Sequence, residues 1–157
     1  MRVVIVNPAS RSHVYGPLSN LAAIEIPVWA GLLADYLHLR GYEVEVLDCE
    51  AEGLDAEQSA KAIRSRDPDL AVFTVYGQQP SASTQCLPAA EAVAKLCGVR
   101  TLALGTHPSA LPRKTLEEGP WTYVAQGEGH RTVVGLLHAL DGMGGLKEVP
   151  GLWWRNG

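Results

Sequence analysis

Apolar and polar positions change period repeatedly along the chain. Val3-Val4-Ile5-Val6 is a short unbroken apolar run stopped by Asn7-Pro8, the pattern of a strand covered on both faces. From Glu25 the period becomes helical: Ile26, Trp29 or Ala30, Leu33 and Leu37 recur at helical spacing, Pro27 sits in the first turn, and Gly41 follows the end. Glu43-Val44-Glu45-Val46-Leu47 alternates as a strand does. Asp55 with Gln58 has the form of a capping box and opens a helix to about Arg66. Leu70 to Val75 is a third strand, a helix over about Ser83 to Cys97 ends at Gly98, and Val99 to Leu104 is a fourth strand. A short helix near Arg113 to Glu118, a fifth strand over Trp121 to Ala125, and a helix carrying Val133, Leu136, Leu137 and Leu140 complete the series.

Alternating strands and helices predict an α/β fold, a doubly wound, flavodoxin-like or Rossmann-like sheet of five parallel strands with helices on both faces. Ligands in such folds sit beyond the carboxyl ends of the strands, near the switch point. Function is therefore expected in the loops 7–24, 75–83, 105–113 and 126–130. The first of these is long for a compact domain, which usually signals a working loop. Residues 1–145 read as one domain. The glycine-rich stretch after Asp141 and the adjacent Trp153 and Trp154 read as the start of a strand or linker, so residues 146–157 are expected to begin a linker.

A length of 157 residues suits one domain, and 46% hydrophobic against 19% charged residues is a globular composition. Lys and Arg total 13 against 17 Asp and Glu, a net charge of -4 without a dense basic patch, which speaks against nucleic acid as a partner. No apolar run is long enough to span a membrane, and the five apolar residues before Asn7 read as a buried strand rather than a signal-peptide core. Cys49, Cys86 and Cys97 are odd in number and form no C-x-x-C pair, which favours a reducing compartment, the cytoplasm, over a disulfide framework or structural zinc site.

Three loops carry candidate chemistry. Gln126-Gly127-Glu128-Gly129-His130 follows a buried strand; its glycines allow close backbone approach to a ligand, or serve an ordinary strand-to-helix turn. It is not a G-x-G-x-x-G fingerprint, and no phosphate-binding G-x-x-x-x-G-K-[ST] loop occurs. In Gly105-Thr106-His107-Pro108-Ser109-Ala110-Leu111-Pro112, His107 either projects toward a ligand or bonds locally. Gly105 and Gly127 are expected to tolerate no side chain, because added atoms would occupy ligand space. His13-Val14-Tyr15-Gly16 gives H-x-x-G. Cobalamin-dependent mutases and methionine synthases carry D-x-H-x-x-G here, with the histidine on cobalt. Arg11 takes the Asp position and cannot accept the imidazole N–H, so His13 as a metal ligand lacks its usual support.

Several segments in order carry a resemblance: Asn7-Pro8; Gly41 to Asp48 followed by Ala51-Glu52-Gly53-Leu54; Asp67-Pro68-Asp69-Leu70; Gly105 to Pro112; and Gly127-Glu128-Gly129. The chain resembles the N-terminal cobalamin (B12)-binding domain of cobalamin-dependent radical S-adenosylmethionine enzymes from about Met1 to Trp154. The resemblance implies a flavodoxin-like sheet holding cobalamin with its dimethylbenzimidazole tail detached from cobalt and buried among the strand ends. It implies Asn7, Pro8 and Thr74 beside the ligand, Gly105, Thr106, His107, Gly127, Glu128 and Gly129 lining the tail and corrin side chains, and Tyr76, Gly77 and Gln78 toward the lower face of cobalt. The C-x-x-x-C-x-x-C motif of the radical domain does not occur here, so this segment by itself is not expected to be catalytic. A downstream radical S-adenosylmethionine domain is the implied partner, supplying a 4Fe-4S iron–sulfur cluster and S-adenosylmethionine. The implied class is a methyltransferase with methylcobalamin as methyl carrier. The competing reading is a free-standing flavodoxin-like signalling or interaction domain without cobalamin. A receiver domain would need an acidic pair after the first strand and Asp after the third, where Asn7 and Thr74-Val75-Tyr76 stand.

Overall fold

The computed structural model describes residues 1–76 and 80–155. The elements run β1 (Arg2–Asn7), α1 (Arg11–Tyr15), a 3-10 turn (Gly16–Leu21), α2 (Val28–His38), β2 (Glu43–Asp48), α3 (Ala56–Ser65), β3 (Leu70–Val75), α4 (Pro80–Cys97), β4 (Thr101–Gly105), α5 (Thr106–Ala110), α6 (Pro112–Glu118), β5 (Tyr123–Ala125), α7 (His130–Leu140) and β6 (Leu152–Trp154). One sheet has the order β2-β1-β3-β4-β5-β6. All neighbours are parallel except β6, which pairs antiparallel with β5.

Successive residues of a strand face opposite sides, and this sorts the core into two layers. Val3 and Ile5 of β1, Val72 of β3 and Leu102 and Leu104 of β4 pack under Ala30, Leu33 and Leu37 of α2 and Val133, Leu136 and Leu137 of α7. Val4, Val6, Ala71, Phe73 and Ala103 meet Ala60 and Ile63 of α3, Ala90 and Val93 of α4, and Trp121. Both faces are covered, which is why β1, β3 and β4 read as continuous apolar runs. The capping box is present at the start of α3: Asp55 accepts from the Gln58 amide and Gln58 accepts from the Asp55 amide.

The sheet has six strands, not five. The sixth comes from the segment read as the start of a strand or linker: Leu152, Trp153 and Trp154 pair with Ala125, Val124 and Tyr123. Arg155 then donates to the carbonyls of Leu116 and Gly119, tying the segment to the end of α6. A three-residue strand has no measurable period, and its partner lies about one helix away along the chain, so composition alone leaves strand and linker open. The long loop after β1 is also more ordered than its polarity suggests, holding α1 and the 3-10 turn.

Candidate functional site

The chain reverses its order in the sheet between β1 and β3, and two clefts open at the carboxyl ends of the strands around that point. The first, about 310 Å³, lies between the ends of β1 and β3 and the 8–27 loop, and is lined by Asn7, Pro8, Arg11, Glu50, Thr74 and Cys86 among others. The second, about 260 Å³, lies between the first turn of α2 and the loops after β4 and β5. Gly105, Thr106, Ser109, Gly127 and Glu128 line it. Trp29 and Tyr76 border both clefts. Their rings stack with centroids 4.9 Å apart and planes inclined by 20°.

Hydrogen bonds within the protein shape the first cleft. The Thr74 hydroxyl donates to the Val6 carbonyl at 3.1 Å across the diverging strands. The Asn7 amide donates to Asp48 at 2.8 Å, between residues that are in register on β1 and β2. Arg11 begins α1, where a backbone N–H has no helical partner, and this N–H donates to Glu50 at 2.8 Å. The Arg11 guanidinium lies 3.2 Å from the same carboxylate and also donates to the Ala22 carbonyl at 3.0 Å. Arg11 thus anchors the 8–27 loop at both ends. His13 is exposed, with its ring 3.5 Å from the Ser12 hydroxyl, and lines neither cleft. Among the described residues no histidine lines either cleft and no cluster of His, Cys, Asp and Glu could hold a metal ion.

The two glycines expected to make room for a ligand do different things. Gly105 is the last residue of β4, in register with Val75, at φ +144°. A Cβ there would strike the Val75 backbone carbonyl, so strand packing by itself requires glycine at this position. Gly127, at φ +92°, faces open space: an added Cβ would meet nothing within 4 Å. Beyond Gly105, the buried Ser83 hydroxyl donates to the Val75 carbonyl and accepts from the His107 N–H at 2.9 Å. The His107 ring lies 2.9 Å from the Thr84 hydroxyl on α4 and lines neither cleft. The ring thus meets neither sequence expectation: it reaches neither a cleft nor its own loop, but a side chain on a separate helix.

The 126–130 loop is held one residue at a time. The Gln126 N–H donates to the Gly151 carbonyl at 2.8 Å, and the Trp153 indole donates to the Gln126 side chain at 3.1 Å. The Ser109 hydroxyl accepts from the Gly127 N–H at 3.0 Å and donates to the Gly127 carbonyl at 3.1 Å. His130 Nδ1 donates to the Glu128 carbonyl at 3.1 Å. Glu128 remains exposed at the mouth of the second cleft. Burial, and secondarily the Glu128 charge, push the Tyr76 phenol above its ordinary pKa. Of the residues implied by the resemblance, Asn7, Pro8 and Thr74 line the first cleft and Gly105, Thr106, Gly127 and Glu128 the second, with Tyr76 between. Gly129 is buried at φ +81°, and a Cβ there would press on the Leu104 side chain. Gly77 and Gln78 lie outside the described residues. Trp29, Ser109 and the Arg11–Glu50 pair escaped the sequence reading; the one available signal was an aromatic residue in the first turn of a helix following a long loop.

The model of the B12 binding domain family matches residues 17–137. The chain belongs to this family. Over 99% of its length this B12-binding domain is 24% identical to the cytidylyl-2-hydroxyethylphosphonate methyltransferase of Streptomyces wedmorensis, of which it spans 31%. It is 27% identical over 99% of its length to an uncharacterized methyltransferase of Pyrococcus horikoshii, spanning 33% of that protein. The domain therefore covers about a third of these relatives. Among solved structures, it matches the radical S-adenosylmethionine methyltransferase TsrM of Kitasatospora setae, with cobalamin and a 4Fe-4S cluster bound, at a TM-score of 0.72. The identity is 21%, and the match covers 99% of this chain and 27% of TsrM. The cobalamin-dependent S-adenosylmethionine radical enzyme OxsB, with aqua-cobalamin and S-adenosylmethionine bound, matches at a TM-score of 0.70 and 22% identity, over 99% of this chain and 21% of OxsB. At these identities the structural likeness establishes a shared fold.

Proposed function

We propose that this B12-binding domain holds cobalamin with the dimethylbenzimidazole tail detached from cobalt and seated in the second cleft, as the cobalamin-carrying part of a longer radical S-adenosylmethionine methyltransferase. The observation that carries this reading is the construction of that cleft. It opens at the carboxyl ends of the parallel strands, an aromatic pair walls one side, and part of its lining is backbone at Gly127, where space is open. A planar heteroaromatic group fits between an aromatic face and bare backbone, since both offer flat, close contact.

When bound, cobalamin supplies a cobalt centre able to carry a methyl group. The residues of this chain bind and orient. Trp29 and Tyr76 form the wall, Thr106 and Glu128 stand as polar groups at the opening, and Thr74 and Asn7 fix the strand ends beneath the first cleft. With no histidine lining either cleft among the described residues, the side chains around the site offer cobalt no imidazole.

Substrate binding, the iron–sulfur cluster and S-adenosylmethionine are assigned to a further domain of the longer protein. Ile26 lines the first cleft and is 84% exposed, and Leu21 and Ile24 of the 8–27 loop that walls this cleft are exposed as well. Apolar surface of this kind beside a cofactor site suits cover by a second domain. The three free, buried cysteines suit a reducing, cytoplasmic setting. The family match favours this reading over a signalling domain without cobalamin.

The test is to mix the purified chain with hydroxocobalamin, desalt it, and record the visible spectrum. Retained cobalamin without the signature of nitrogen coordination is expected. Complete loss on desalting at protein concentrations that retain it in a full-length relative would overturn the proposal.

A further inference from the structure

The loop after β5 is connected to the loop after β4 by one side chain. The Ser109 hydroxyl takes the N–H of Gly127 at 3.0 Å and gives its own proton to the Gly127 carbonyl at 3.1 Å. A single oxygen thus satisfies both backbone polar groups of one residue, which lie in the two consecutive peptide units flanking its Cα, and so restrains the backbone turn at Gly127. Gly127 needs such a constraint. It sits at φ +92° with no Cβ to restrict it, and glycine loses more backbone freedom on ordering than any other residue. Its neighbours are already held, Gln126 by Gly151 and Trp153, and Glu128 by His130. Ser109 itself is fixed because it belongs to α5, which starts directly from β4 and is tied through the His107 N–H to the buried Ser83. Ser109 and Gly127 both line the second cleft.

We propose that Ser109 is a positioning residue for cobalamin binding. It locks the backbone on both sides of the Gly127 Cα so that the backbone lining of the tail cleft is preformed rather than ordered at the expense of binding energy. This rests on the reading that the second cleft takes the cobalamin tail. The chemistry is specific to a hydroxyl that donates and accepts together; alanine can do neither and threonine can do both.

The test compares the wild-type 157-residue chain with Ser109→Ala and Ser109→Thr, by two measurements. The first is hydrogen exchange of the Gly127 amide without ligand. The second is equilibrium titration with hydroxocobalamin, with melting temperature recorded alongside. In Ser109→Ala, exchange at Gly127 should accelerate and cobalamin affinity should fall about tenfold, the effect of losing two modest hydrogen bonds to ordered backbone. The melting temperature should stay close to wild type, and Ser109→Thr should restore both quantities. Unchanged Gly127 exchange in Ser109→Ala overturns the proposal even if no variant binds cobalamin. Equal affinity of wild type and Ser109→Ala also overturns it, as does a loss of affinity that follows melting temperature and is not restored by threonine. Failure of the wild type itself to bind cobalamin removes the function proposed for the cleft, and with it the role given to Ser109.

Discussion

Gly105 and Val75 are registered partners at the ends of β4 and β3, and a methyl group on Gly105 would collide with the Val75 carbonyl oxygen. Gly127, which also lines the second cleft, has open space where its Cβ would be. Two glycines that look alike in sequence should therefore fail differently. Gly105→Ala is expected to destabilise the fold by about 2–4 kcal/mol, because the clash is with backbone and the φ is unfavourable. Gly127→Val should cost only about 1–2 kcal/mol of backbone strain while lowering cobalamin retention more than tenfold. Urea denaturation and hydroxocobalamin titration on both variants separate the two. A Gly127→Val protein that loses stability and retention in proportion would place this glycine with the turn.

His13 projects into solvent, away from both clefts. Replacing His13 with Ala should leave the visible spectrum of bound cobalamin unchanged and affinity within about twofold, since exposed substitutions away from a site are nearly neutral. Disappearance of a nitrogen-ligand band in the variant would assign His13 to cobalt after all.

The Trp29–Tyr76 stack is shared by the two clefts, so shortening Trp29 should affect ligand binding more than folding. Trp29 is 43% exposed, whereas the core aromatic Trp121 is 2% exposed, so losing Trp29 should cost less stability than a core truncation. An aromatic pair contributes about 0.5–1.5 kcal/mol beyond area burial. Trp29→Ala is accordingly expected to weaken cobalamin binding by about three- to tenfold, and Trp29→Phe by less, because a ring still faces Tyr76. Titration of both variants checks the order; an unaffected Trp29→Ala would mean that the ligand does not touch the stack.

Cys49, Cys86 and Cys97 are buried, and burial raises each thiol pKa above the ordinary value. In the unfolded chain the thiols ionise near pH 8.5. Above that pH the unfolded state binds fewer protons than the native state, so stability falls as pH rises. The contribution is fully present below about pH 8.5 and is lost progressively above it, by at most about 1.4 kcal/mol per pH unit for each thiol. Urea midpoints at pH 7 and pH 9.5 should show the decline, and Cys86→Ala should make it shallower. A flat profile would show that the thiols ionise equally in both states.

The periodic part of the fold was legible in the chain. Apolar runs at 3–6 and 70–75 marked strands covered on both sides, and Asp55 with Gln58 marked a helix start. These signals are local: burial on one or both faces of an element leaves its period in the residues of that element. The glycine-bearing loops after β4 and β5 were found by the same logic, because strands that end together place their following loops together. What only the tertiary structure decided was which side chains meet across those loops. Leu152–Trp154 became a strand because the β5 edge was unpaired and within reach. Trp29 met Tyr76, Ser109 met Gly127, and His107 turned to Thr84 instead of the cleft. Each such pair joins residues from separate elements, and its formation depends on the relative placement of those elements to within about an ångström. Hydrogen bonds and ring contacts have that short a reach, whereas hydrophobic burial is non-directional and tolerant of position. The tolerant interaction leaves a repeating pattern in the sequence, and the short-range one leaves none.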